Sequence, residues 1–116
     1  NFYFYENPIE FYKILAEADI AIVSGGLILY DCVRYGVPSI SVAQYQHQKE
    51  TILEFSKKGV TIPHNLNNKK QKEKLLQSLT FLLSNKNHLN IMKRKAQNLI
   101  DGKGVYRVIE AIKTII

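Results

Sequence analysis

Apolar and polar positions along this chain fall into short blocks whose period switches repeatedly. Residues 20–23, IAIV, are wholly apolar and are closed by Asp19 on one side and Ser24-Gly25-Gly26 on the other. SISVA at 39–43 and VTIP at 60–63 repeat that pattern. Short apolar runs bounded by breakers suit strands buried on both faces, as in a parallel sheet. Between them the spacing becomes helical. LILYDCVRYG places Leu27, Tyr30, Cys32, Val33 and Tyr35 along a helix that Gly36 ends. A helix over about 48–58 is closed by Gly59 in the same way. KKQKEKLLQSLTFLLSN predicts an amphipathic helix over 69–85 with Leu75, Leu76, Leu79, Leu82 and Leu83 inward.

The flanks complete the pattern. FYFY at 2–5 is aromatic and β-prone, and Asn7-Pro8 signals a turn before a helix over 9–18. That helix has Ile9, Tyr12, Ile14, Leu15 and Ala18 at helical spacing. A further helix is expected over 87–99, a turn at DGKG (101–104), and a last helix over 105–116. Strands alternating with helices imply right-handed crossovers and a three-layer αβα, Rossmann-like domain around a small parallel sheet. Pro38 falls just before a strand, where its missing N–H costs no ladder bond.

At 116 residues the chain suits one domain, and 46% hydrophobic residues allow a real core. The absence of an initiator Met and the strand-like opening read as a piece cut from a longer protein. No apolar run reaches the ~18 residues a membrane helix needs. The single cysteine, Cys32, excludes an internal disulfide and makes the cytoplasm the default expectation. His47, His64 and His88 are scattered, so no metal site is expected. The formal net charge of +6 is concentrated in NNKKQKEK (67–74) and MKRKAQ (92–97). No aromatics interleave with these lysines as a single-strand groove would require, so solvated helix faces are the favoured reading and nucleic acid is not an expected partner.

The chemistry concentrates where strands end. Ligands of open parallel sheets bind beyond the carboxyl ends of the strands, and Ser24-Gly25-Gly26 lies at such an end with a helix starting at Leu27. Glycines admit close backbone approach and positive φ, and the free N–H groups of a helix start favour a diphosphate. A tight βα turn explains the glycines equally well. Asp31, one and a half turns into the helix, can accept hydrogen bonds from a ribose diol, or pair with Arg34 or Lys13. QYQHQ at 44–48 places His47 and Gln48 at the same edge, where an imidazole and a carboxamide suit sugar hydroxyls or phosphate oxygens. A polar loop that caps the next helix is the alternative.

Together the segments EADIAIVSGGLILYDCVRYGVPSISV, QHQ and KKGVTIPHN resemble the C-terminal domain of GT-B nucleotide-sugar enzymes. LIDGKGVYRVIEAI (99–112) is similar to the closing signature of the UDP-sugar hydrolases of pseudaminic acid synthesis and of spore-coat polysaccharide proteins. The resemblance covers about residues 16–112. It implies a UDP-sugar ligand, with Ser24, Gly25, Gly26 and Leu27 at the diphosphate, Asp31 at the ribose, and His47 and Gln48 near sugar and phosphate. Two departures stand out: Asp31 replaces a Glu, and Ile28 replaces a Thr, so a weakened hold on UDP is expected. The resemblance also implies that the catalytic histidine belongs to an N-terminal acceptor domain. No catalytic residue and no cofactor are then expected in residues 1–116, and the piece alone should catalyse little. A non-catalytic module that pairs with a partner subunit, through NFYFY and the region of Tyr45, is the alternative.

Overall fold

A computed structural model describes residues 2–6 and 9–116. The turn expected at Asn7-Pro8 lies outside the described residues. The order of elements is α1 (Phe11–Glu17), β1 (Ala21–Ser24), α2 (Leu27–Arg34), β2 (Ser39–Val42), α3 (Gln46–Lys57), β3 (Thr61–His64), α4 (Lys69–Ser84), α5 (Lys86–Leu99) and α6 (Gly104–Ile115).

The three strands form one parallel sheet in the order β1-β2-β3. The register pairs Ala21 with Ser39 and Ser39 with Thr61, so these residues share one row and one face. On that side Leu29 and Val33 of α2 pack with Ile52 and Phe55 of α3, while Leu15 of α1 joins Cys32 and Val37. On the opposite side Ile40 of β2 meets Leu75 and Leu82 of α4. Helix α5 belongs to both layers, because Met92 packs with α4 and Ala96 with α2 and α3. The expected three-layer α/β architecture is therefore present.

Local chemistry explains the helix ends. Gly36 (φ 68°) and Gly59 (φ 75°) take the left-handed conformation that only glycine adopts cheaply. After α2, Gly36 N donates to Val33 O (3.2 Å) and Val37 N to Cys32 O (2.8 Å). After α3, Gly59 N donates to Ser56 O (3.0 Å) and Val60 N to Phe55 O (3.3 Å). Each is a Schellman termination, which returns the chain sharply into the next strand. A row of hydroxyls crosses the sheet beneath α2 and α3. Ser39 Oγ donates to Thr61 Oγ1 (2.8 Å), whose own proton reaches Ser41 Oγ (2.9 Å), and all three residues are buried.

Several sequence expectations are corrected. Residues 2–5 form no strand and all four aromatics are exposed. Aromatic β-propensity needs a pleated face to pack against, and nothing among the described residues supplies one. Strand β1 is an edge strand whose Ile22 is 52% exposed, so it is not buried on both faces. The inner face of α2 is Leu29, Cys32 and Val33; Leu27 and Tyr30 point outward. On α4, Leu75 and Leu82 are buried but Leu76 and Leu83 are exposed. Helix α1 starts at Phe11, so Ile9 lies in the turn before it and is exposed; on the helix only Leu15 is buried and Tyr12 is exposed. The lysines of α4 at 69, 70, 72 and 74 are exposed, as a solvated face requires.

Candidate functional site

The parallel strands bring the starts of α2, α3 and α4 to one rim, beyond the carboxyl ends of β1, β2 and β3. The starts differ in how their free N–H groups are served. Asn68 Oδ1 accepts from Gln71 N (2.9 Å) at the start of α4. At the starts of α2 and α3, Gly26 and Tyr45 provide no side-chain cap. Uncapped N–H groups at a helix start carry partial positive charge toward the rim.

The two glycines at the end of β1 do different work. Neither has positive φ, so the turn does not use their conformational freedom. A β-carbon on Gly25 would lie 2.6 Å from Ile52 Cδ1 and 3.0 Å from Gln48 Cβ. Gly25 is therefore the contact point at which α3 closes on the turn. A β-carbon on Gly26 would meet Gln48 Nε2 at 3.5 Å and Ser24 Oγ at 4.0 Å, which is ordinary contact. Gly26 is the glycine that faces the open side.

Gln48 is the organising polar group of this rim. It is only 6% exposed, although it lies in the first turn of α3. Its Oε1 accepts from Gln44 N (2.8 Å), which ties the loop after β2 to the helix. Its Nε2 lies beside Gly26 and has no protein partner among the described hydrogen bonds. A buried carboxamide with one satisfied end and one free donor is available to a ligand at that position.

The remaining expected residues gather near this point with varied exposure. Ser24 ends β1 and is half-buried; Leu27 opens α2 and is exposed. Asp31 is half-buried on α2 and forms no salt bridge with Arg34 or Lys13; the ion pair of Lys13 is with Glu10. His47 is exposed and stacks in parallel on Tyr45 at a centroid distance of 5.8 Å. Helix α3 begins at Gln46, two residues earlier than expected, so His47 and Gln48 belong to its first turn.

A cavity of about 330 Å³ opens on the same rim, on the other flank of α3, between that helix and the β3–α4 connection. None of Ser24, Gly25, Gly26, Asp31, His47 or Gln48 lines it; Lys49, Leu53, His64 and Asn65 do. Sequence reasoning passed over His64 as one of three scattered histidines. The available signal was its position at the carboxyl end of the third strand. His64 Nε2 lies 2.7 Å from Ser78 Oγ, and burial, then the charge of Lys74, pushes its pKa below the ordinary imidazole value. Among the described residues no group of His, Cys, Asp or Glu is placed to hold a metal ion.

The model of the glycosyltransferase family 28 C-terminal domain matches residues 5–112. The chain belongs to that family. The fold is accordingly that of a GT-B-type C-terminal domain. The chain is also 28% identical over 102 residues to the spore coat polysaccharide biosynthesis protein SpsG of Bacillus subtilis (strain 168). The match takes in 88% of this chain and 30% of that relative, so the chain spans about a third of the relative's length. No solved structure matches the chain at a significant level. No helix among the described residues is long and apolar enough to cross a membrane.

Proposed function

We propose that this family 28 domain is the UDP-sugar-binding half of a nucleotide-sugar hydrolase or glycosyltransferase of surface polysaccharide or nonulosonic acid synthesis. The single observation that carries the reading is the buried Gln48 amide, held at Oε1 by Gln44 and presenting a free Nε2 beside Gly26.

The diphosphate lies over Gly26, where the uncapped N–H groups at the start of α2 meet its charge. Gly26 lets it approach the backbone, and Ser24 and Gln48 Nε2 flank it. Asp31, which forms no salt bridge among the described residues, accepts from the ribose hydroxyls. These donors hold the charge that grows on the diphosphate as it departs. The acceptor pocket and the proton-transfer groups are supplied by an N-terminal domain. The similarity to SpsG supports a place in polysaccharide synthesis.

The test is an ¹H–¹⁵N titration of the chain with UDP. Saturable shifts are expected at Ser24, Gly25, Gly26, Leu27, Asp31 and Gln48, and Gln48→Ala should weaken them about tenfold. A titration that leaves those amides unmoved rejects the reading.

A second reading is a non-catalytic module completed by a partner subunit or domain. It is favoured by α6, all of whose residues are exposed, Val105, Val108, Ile109 and Ile112 included. The two measurements together separate the readings: a module of this kind self-associates in size-exclusion chromatography, reversed by polar substitutions at Val108 and Ile112, and gives no saturable shifts with UDP.

A further inference from the structure

The cavity between α3 and the β3–α4 connection has a chemistry of its own. Its volume of about 330 Å³ is at the small end of ligand pockets, room for one sugar ring and not for a nucleotide sugar. One wall is apolar, formed by Leu53 and Pro63. The remainder presents an ammonium from Lys49 and carboxamides from Asn65 and Asn67, with His64 at its edge.

Each polar group is fixed or free in a way that matters. Asn65 Oδ1 accepts from Asn67 N (3.1 Å), which pins the loop and leaves the Asn65 amide nitrogen as a donor. The His64 ring is turned toward α4, where Ser78 Oγ lies 2.7 Å from its Nε2. Lys49 forms no salt bridge among the described residues, and no carboxylate lines the cavity. Lys74 adds positive charge behind His64.

From this cavity and its side chains we propose a second ligand site, for a monosaccharide that carries one negative charge. The ring's apolar face lies on Leu53 and Pro63, its hydroxyls meet Asn65 and Asn67, and Lys49 receives the phosphate or carboxylate. The site is distinct from the Gly26 crevice, from which the first turns of α3 separate it. The two share one wall residue, Ile52, whose Cδ1 also reaches the Gly25 turn. The proposal goes beyond the nucleotide reading and stands without it.

The experiment is an ¹H–¹⁵N titration of the chain with four separate probes: glucose 1-phosphate, glucuronate, glucose and inorganic phosphate. Saturable shifts at Lys49, Leu53, Asn65 and Asn67 are expected with either of the first two, with Gly25 and Gly26 unmoved. Binding by both anionic sugars shows that the charge is read generally; binding by one identifies its source as phosphate or as carboxylate. Glucose should bind at least tenfold more weakly, and Lys49→Gln should cost a similar factor for the anionic sugars. Asn67→Ala provides a second exposed variant with a well-dispersed spectrum as its folding check. No saturable shift with either anionic sugar overturns the proposal. So does glucose binding equally well, or inorganic phosphate giving the same shifts at the same affinity, which marks an adventitious ion only. A failed UDP titration with a successful sugar phosphate titration would sink the nucleotide reading alone.

Discussion

Ile52 leaves no room at Gly25: a β-carbon there would lie 2.6 Å from Ile52 Cδ1 and 2.7 Å from its Cγ1. Ile52 is itself held among Leu29, Val33 and Phe55, so making room would displace a packed core side chain. Gly25→Ala should therefore push α3 off the end of β1 and cost about 1–3 kcal/mol, as overpacking does. Gly26→Ala meets nothing closer than 3.5 Å and keeps an ordinary φ of −87°. Its stability should change by less than about 1 kcal/mol. Urea denaturation of both variants checks the contrast, and equal losses would contradict the division of labour between the glycines.

The buried hydroxyl row across the sheet makes a second prediction. Thr61→Val removes the group that accepts from Ser39 and donates to Ser41, and leaves two buried hydroxyls seeking partners. The expected loss is about 1–3 kcal/mol. Replacing all three hydroxyls together, with Ser39→Ala and Ser41→Ala added, should recover much of it, because no polar group is then stranded. Chemical denaturation of the single and triple variants measures the difference.

Cys32 should be chemically silent in the native state. It is fully buried, and burial, then the nearby Asp31 charge, pushes its thiol up to about 11. The thiolate is the reactive form and is scarce at pH 8 under those conditions. Labelling with iodoacetamide should proceed only in denaturant, or at the rate of global opening. Fast labelling of folded protein would mean that the α1–α2 layer opens locally.

Asp101 and Arg107 form the ion pair that binds the DGKG turn to the start of α6, and Asp101 Oδ1 also accepts from Lys103 N (2.9 Å). The Arg107 hydrogen bond first, then the backbone bond, holds the Asp101 carboxyl down at about 2. Because the folded value lies below the ordinary 3.8, the pair's contribution is complete above about pH 4. It fades as pH falls toward 2. An NMR titration should place the Asp101 midpoint near 2, and Arg107→Gln should return it toward 3.8. An unchanged midpoint in that variant would assign the shift to the backbone alone.

Much of the architecture was legible because its causes are local. The Gly36 and Gly59 terminations, the three apolar runs and the amphipathic spacing of α4 depend on residues a few positions apart. The strand–helix alternation then leaves few topologies other than a parallel sheet with helices on both faces. The candidate site was half legible. Its residues could be named, since strand ends and helix starts show in the chain, but not ranked.

What only the tertiary structure decided depended on elements distant in sequence. That Gly25 serves packing while Gly26 faces outward follows from where Ile52 and Gln48 fall, more than twenty residues later. That Gln48 is buried with one free amide end follows from its contact with the β1 turn and from Gln44. Leu76 and Leu83 look like core residues by spacing alone, yet the sheet is narrow and one stripe of α4 covers it. The cavity that unites Lys49 with Asn65 and Asn67 exists because two neighbouring strands deliver their loops to one rim. Periodicity along a chain determines which face of each element is apolar. Only packing in three dimensions determines what that face meets, and whether a polar side chain is left with a bond to make.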